Sequence, residues 1–112
     1  MKCEKLIVWK RSCRLSVGVY KLFADSRDFG FKDQITRSAL SVASNIAEGM
    51  EKESDKEEAR FIEISKGSAA ELITQIYIGI EIGYIDKSIG MEWVKEMDEI
   101  LKMLSGLKKN YV

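Results

Sequence analysis

No proline occurs anywhere in this chain of 112 residues. Proline is the residue helices tolerate least, at about 3 kcal/mol in a helix interior, because it lacks the N–H and its ring clashes with the preceding turn. A chain without it can run in long helices, and the apolar residues recur accordingly. In a first helix, expected over about Lys5 to Ser26, the residues Leu6, Trp9, Cys13, Val17, Tyr20 and Ala24 fall at three- and four-residue steps. The run Arg27-Asp28-Phe29-Gly30 interrupts that period, with Gly30 expected to supply the turn. A second helix is expected from about Lys32 to Met50, with Ile35, Ala39, Val42, Ile46 and Met50 as its stripe and Asp33 in the first turn, where the dipole favours an anion. Its small residues, Ser38, Ala39, Ser41, Ala43, Ser44 and Ala47, predict close approach of a neighbouring helix.

The second joint, Glu51 to Glu53, is short and charged. Ser54 followed three residues later by Glu57 reads as a capping box opening a third helix. Ile76, Ile78, Ile80 and Ile82 alternate as in a strand, but Phe61, Ser65, Ser68, Leu72, Ile76 and Ile80 continue a helical face without a breaker, so the helix is expected to reach Gly83. Ile78, Ile82 and Ile85 point elsewhere, and a second apolar face on a small domain predicts burial against another subunit. After a joint at Gly83 to Ser88, a fourth helix is expected from about Ile89 to Lys109. Trp93, Met97, Ile100, Leu104 and Leu107 form its seam, and Lys108 and Lys109 suit the negative helix end. Short joints make neighbouring helices antiparallel. The expectation is an all-α, up-down-up-down four-helix bundle, as a single domain over residues 1–112.

Overall charge gives no push toward nucleic acid, with 18 basic and 18 acidic residues. The distribution is uneven. Lys2, Lys5, Lys10, Arg11, Arg14 and Lys21 face only Glu4 in residues 1–23, whereas residues 48–63 are mostly acidic. If nucleic acid is bound, the expected surface is the basic side of the first helix: Lys10, Arg14 and Lys21 at offsets of four and seven, with Arg11 beside them. The apolar runs Leu6 to Trp9 and Leu72 to Ile85 are too short, or too interrupted by Gln75 and Glu81, for a secretory signal or a membrane span. A cytoplasmic location is expected.

Little chemistry is on offer. There is no histidine, so the Glu-x-x-His route to a carboxylate di-metal centre is closed. Cys3 and Cys13, if both on the first helix, stand about 15 Å apart by helical rise, too far for a disulfide and too few for zinc. Arg11 and Arg14 beside Cys13 could lower a thiol pKa, but its place on the apolar stripe reads as a core thiol. No catalytic residue, metal, cofactor or small-molecule substrate is expected. One polar constellation stands out. Arg37, Ser41, Asn45 or Ser44, and Glu48 share a side of the second helix. Folding the third helix back about Lys52 brings Arg37 opposite Gly67, Ser68 and Glu71, and Glu48 opposite Lys56 and Arg60. This is either a structural network or a ligand- or RNA-contacting site. A partly buried Arg37–Glu71 pair would cost about 3 kcal/mol or more to break.

Several of these residues form an ordered set: Asp33-Gln34-Ile35-Thr36-Arg37-Ser38-Ala39, Ser44-Asn45-Ile46-Ala47-Glu48-Gly49, Gly67-Ser68 with Glu71, and Gly83-Tyr84-Ile85. From Val8-Trp9 to the last helix the chain resembles the four-helix-bundle proteins often encoded within intervening sequences of bacterial 23S ribosomal RNA genes. The resemblance implies a ring-like homopentamer. Relatives include the accessory variability protein of diversity-generating retroelements, which binds nucleic acid and a reverse transcriptase. Those relatives are strongly basic and this chain is neutral; it also lacks the proline many carry before the second helix. Both departures favour the ribosomal branch. Four functions compete: an oligomer contacting RNA or an RNA-handling partner, a protein-interaction oligomer without nucleic-acid affinity, an accessory subunit of a reverse transcriptase, or an enzyme using Glu48, Glu71 and Arg37, which the missing chemistry argues against.

Overall fold

The structure is a computed structural model that describes residues 1–109, with side chains through Leu107. A 3-10 turn at Lys2–Lys5 leads into four helices, α1 (Ile7–Leu22), α2 (Phe29–Met50), α3 (Asp55–Glu81) and α4 (Lys87–Lys109). Consecutive helices pack side by side and α4 closes on α1, which makes the expected antiparallel four-helix bundle. The Lys108 and Lys109 side chains lie outside the described residues.

The helix ends follow their capping chemistry. Ser54 Oγ accepts from the Glu57 backbone N–H at 3.1 Å, as the capping-box pattern predicts. α2 starts three residues earlier than expected, because Asp28 caps it by accepting from the Phe31 N–H at 3.1 Å. Gly30 therefore lies inside the helix rather than in the turn, and Asp33 falls beyond the first turn. The glycine that does turn the chain is Gly83, at φ 84° just past α3.

The α2 stripe is buried as expected, from Ile35 to Met50. Ile62, Leu72 and Ile76 of α3 and Met97, Ile100 and Leu104 of α4 complete the core. Each such side chain contributes about 1.5–3 kcal/mol by leaving water. The small residues on α2 do bring α3 close. A Cβ at Gly49 would stand 3.1 Å from the Phe61 Cβ, and Ser65 Oγ donates to the Val42 carbonyl at 2.7 Å. Two further glycines set the α3–α4 packing. A Cβ at Gly79 would meet Ile85 Cδ1 at 2.6 Å, and one at Gly90 would meet Ile80 Cδ1 at 2.5 Å.

The first helix corrects the expected stripe. Its buried residues are Val8, Ser12, Leu15, Ser16 and Val19, while Val17 and Tyr20 are about half exposed. The core accepts two serines in place of two larger side chains because a helix can absorb the hydroxyl: Ser12 Oγ donates to the Val8 carbonyl at 2.7 Å. Cys13 is half-buried rather than a core residue, and Cys3 sits buried in the 3-10 turn ahead of α1; both thiols are free. Ile85 is also corrected. It is 2% exposed, because the turn at Gly83 swings it back onto Gly79 and Gly90 instead of continuing the α3 face.

Candidate functional site: two apolar surfaces and a cationic helix

Val17 and Tyr20, displaced from the core, border a groove between α1 and α2. Cys13, Ser16, Lys21, Leu40 and Ala43 line the rest of it, and it holds about 380 Å³. Leu40 is half exposed like its two neighbours across the groove. Burial, with Cys3 as a lesser cause, pushes the Cys13 thiol up from its ordinary value, so Arg11 and Arg14 do not make it a thiolate.

The outer face of α1 is cationic, with Lys21 bordering this groove and Arg14 bordering the next one, between α1 and α4, beside Glu92 and Glu96. Helix α1 carries Lys10, Arg11, Arg14 and Lys21 and no acidic residue. Arg11 does not belong to the free edge. It turns to α4, where its guanidinium donates two hydrogen bonds to the Glu96 carboxylate and pairs with Glu99 at 3.1 Å. The hydrogen bond raises the Arg11 pKa and holds the Glu96 carboxyl below its usual range. Sequence spacing could not foresee this, since the partner lies 85 residues away. Lys10, Arg14 and Lys21 remain exposed on one face.

A second apolar surface lies on α3. Ile78 and Ile82 are 48% and 50% exposed, and Ile64, at 40%, is on the same helical stripe. Ile85, expected to join them, is in the core. The charge around this surface is acidic: from Gly67 to Asp86 the charged residues are Glu71, Glu81 and Asp86. The C-terminal end of α3 adds the negative pole of its dipole.

The polar constellation is partly assembled. The Ser41 and Ser68 hydroxyls share a hydrogen bond at 2.8 Å, and Asn45 Nδ2 donates to Ser41 O and Oγ at 2.8 and 2.9 Å. Arg37 lines the same shallow groove as Ser68 and Glu71. Its ion pair, however, is with Asp33 at 3.0 Å, and its side chain is 79% exposed. The reason is local: Asp33 is one turn away on the same helix, at i−4, the spacing at which oppositely charged side chains meet. Glu48 is exposed, and Arg60 pairs with Glu57 on its own helix at 2.6 Å. The group is a serine–asparagine stitch between α2 and α3 with a solvated rim. Among the described residues no group of three or more Cys, Asp and Glu is placed to hold a metal, and no helix is long and apolar enough to cross a membrane.

No curated protein matches this sequence. Among solved structures, a protein of unknown function from the S23 ribosomal protein family of Bacteroides thetaiotaomicron is similar to it in fold, with a TM-score of 0.85 at 24% identity over 92% of this chain and 99% of that one. The sequence profile of the 23S rRNA-intervening sequence proteins matches residues 4–106, nearly the whole bundle. By that match, the chain belongs to the 23S rRNA-intervening sequence protein family.

Proposed function

We propose that this protein is a non-catalytic, cytoplasmic, self-associating bundle that acts by presenting repeated surfaces to an RNA or an RNA-handling partner. The observation that carries self-association is the pair Ile78 and Ile82, side by side and half exposed on α3. A contiguous apolar surface on a small domain marks an interaction site. A pentameric ring is the stoichiometry implied by the family resemblance. The non-catalytic reading rests on the absence of histidine and on the solvation of Arg37, Glu48 and Glu71. Light scattering at micromolar concentration tests the assembly. A mass several times 12.8 kDa is expected, and a clean monomer overturns the reading.

One observation favours RNA over a protein partner: Lys10, Arg14 and Lys21 project from a helix with no acidic residue. Phosphate contacts release counterions, so RNA binding through this edge would weaken steeply with salt. An accessory role beside a reverse transcriptase would use the same edge.

A further inference from the structure

The groove between α2 and α3 is lined by polar groups that the protein itself leaves without partners. Its volume is about 260 Å³, and its walls are Gln34, Arg37, Ser38 and Ser41 of α2 with Ser68 and Glu71 of α3. Ser38 is only 6% exposed, yet its hydroxyl has no hydrogen-bond partner among the described residues. The buried hydroxyls of Ser12, Thr36 and Ser65, by contrast, each donate to a backbone carbonyl. Buried polar groups are as a rule hydrogen-bonded, so a hydroxyl left over beside a groove calls for a partner from outside the chain.

The neighbours of Ser38 lead the same way. Asn45 Nδ2 donates to Ser41 Oγ, and the Ser41 and Ser68 hydroxyls share one hydrogen bond. Each hydroxyl brings a proton, and the shared bond uses only one of the two. Asp33 takes the Arg37 Nε–H, which leaves the N–H donors of both terminal guanidinium nitrogens without a protein partner among the described residues. Glu71 has no ion pair among them either, although Arg37 borders the same groove. A cation and an anion thus flank the groove without meeting. A molecule that spans it must accept from Arg37 and the serines and donate to Glu71. A bare phosphate meets the first demand and is repelled by the second. Among the RNA bases guanine meets both in pairs: O6 and N7 accept from a guanidinium fork, and the adjoining N1–H and N2 amino group donate to the two oxygens of a carboxylate.

We propose that the α2–α3 groove binds the edge of an unpaired guanine in single-stranded RNA, with Arg37 on O6 and N7, Glu71 on N1–H and the N2 amino group, and Ser38 donating to O6. This rests on the RNA reading above and adds to it what is read in the sequence, since contacts of the α1 cations with phosphate carry no base identity.

The test is a fluorescence-anisotropy titration of the protein with a uridine-rich single-stranded RNA that carries one guanine. Replacing that guanine by adenine should weaken binding about tenfold or more. Inosine, which lacks the N2 amino group, should weaken binding to wild type and bring no further loss in Glu71→Gln; 7-deazaguanine, which lacks N7, should do the same with Arg37→Ala. Ser38→Ala should lose affinity for the guanine strand and keep its affinity for the adenine strand. Arg37 and Glu71 are exposed, so the helical circular dichroism of their variants should match wild type. Equal binding of the guanine and adenine strands by wild type overturns the assignment while leaving RNA binding standing. A guanine preference that survives unchanged in Glu71→Gln and Arg37→Ala also overturns it, by placing recognition elsewhere. No binding of either strand at low salt instead defeats the underlying RNA reading, and the assignment falls with it.

Discussion

Replacing Gly90 by alanine should destabilise the protein, although alanine is the better helix former. The added Cβ would stand 2.5 Å from Ile80 Cδ1, 2.6 Å from Ile80 Cγ1 and 3.2 Å from Ile85 Cγ2. Two of these are closer than real Cβ contacts come, and Ile85 already fills the space on the far side against Gly79. Overpacking of this kind costs about 1–3 kcal/mol, set against a gain of about 1 kcal/mol in helix propensity. Gly67 provides the reference. It lies inside α3, and a Cβ there meets nothing within 4 Å, so Gly67→Ala should keep the propensity gain alone. The difference between the two variants then isolates the overpacking term. At roughly 4 °C per kcal/mol for a domain of this size, Gly90→Ala should melt about 4–12 °C below Gly67→Ala at matched protomer concentration. In an Ile80→Ala background, where both near atoms are gone, Gly90→Ala should lose most of its penalty. Gly90→Ala melting at or above Gly67→Ala would refute the close approach of α3 and α4.

Two further outcomes concern charge. The Arg11 hydrogen bond depresses the Glu96 carboxyl, so its stabilisation is fully present above the ordinary carboxylate range and is lost as pH falls through the folded value. With both side chains about 30% exposed, the pair is worth roughly 1 kcal/mol or less. The denaturation midpoints of wild type and Glu96→Gln should therefore converge as pH falls through and below the ordinary carboxylate range, and a gap that stays constant would count against the pair. Arg37→Ala should change stability by no more than about 0.5 kcal/mol, because its partner Asp33 lies with it on the surface. A loss near 3 kcal/mol in urea denaturation would restore the buried Arg37–Glu71 pair.

What the sequence revealed was governed by period and by local chemistry. The α2 stripe, the Ser54 cap and the small-residue contact between α2 and α3 were legible because each depends on residues a turn or two apart. On α1 the most apolar stripe was a misleading guide. Ser12 and Ser16 are buried, Ser12 with its hydroxyl on the Val8 carbonyl, and Val17 and Tyr20 are left for another surface. The position of Ile85 depended on where Gly83 turned the chain, two residues past the end of α3 at Glu81, where helical periodicity no longer applies. Arg11 found its anions on α4, beyond the reach of any spacing rule. The groove itself had no sequence signal, since its walls come from two helices and its existence follows from the corrected face of α1.

The close seating of Ile80 and Ile85 against Gly90 and Gly79 also bears on how this bundle breathes. Local opening starts where few buried contacts hold a segment. The last turns of α3 are held on one side by Ile85 against Gly79 and on the other by Ile80 seated on Gly90 of α4. Their amide hydrogens should exchange among the slowest in the chain, while the 3-10 turn at the opposite end, held by Lys2 N–H on Glu51 at 3.2 Å, should exchange fast. Ile78 and Ile82 thus project from a stretch of backbone that has already surrendered its conformational freedom on folding. Ordering an interface normally costs entropy for each segment it immobilises. Here that loss is taken within the protomer, so a partner meeting this surface has little left to immobilise beyond the two isoleucine side chains.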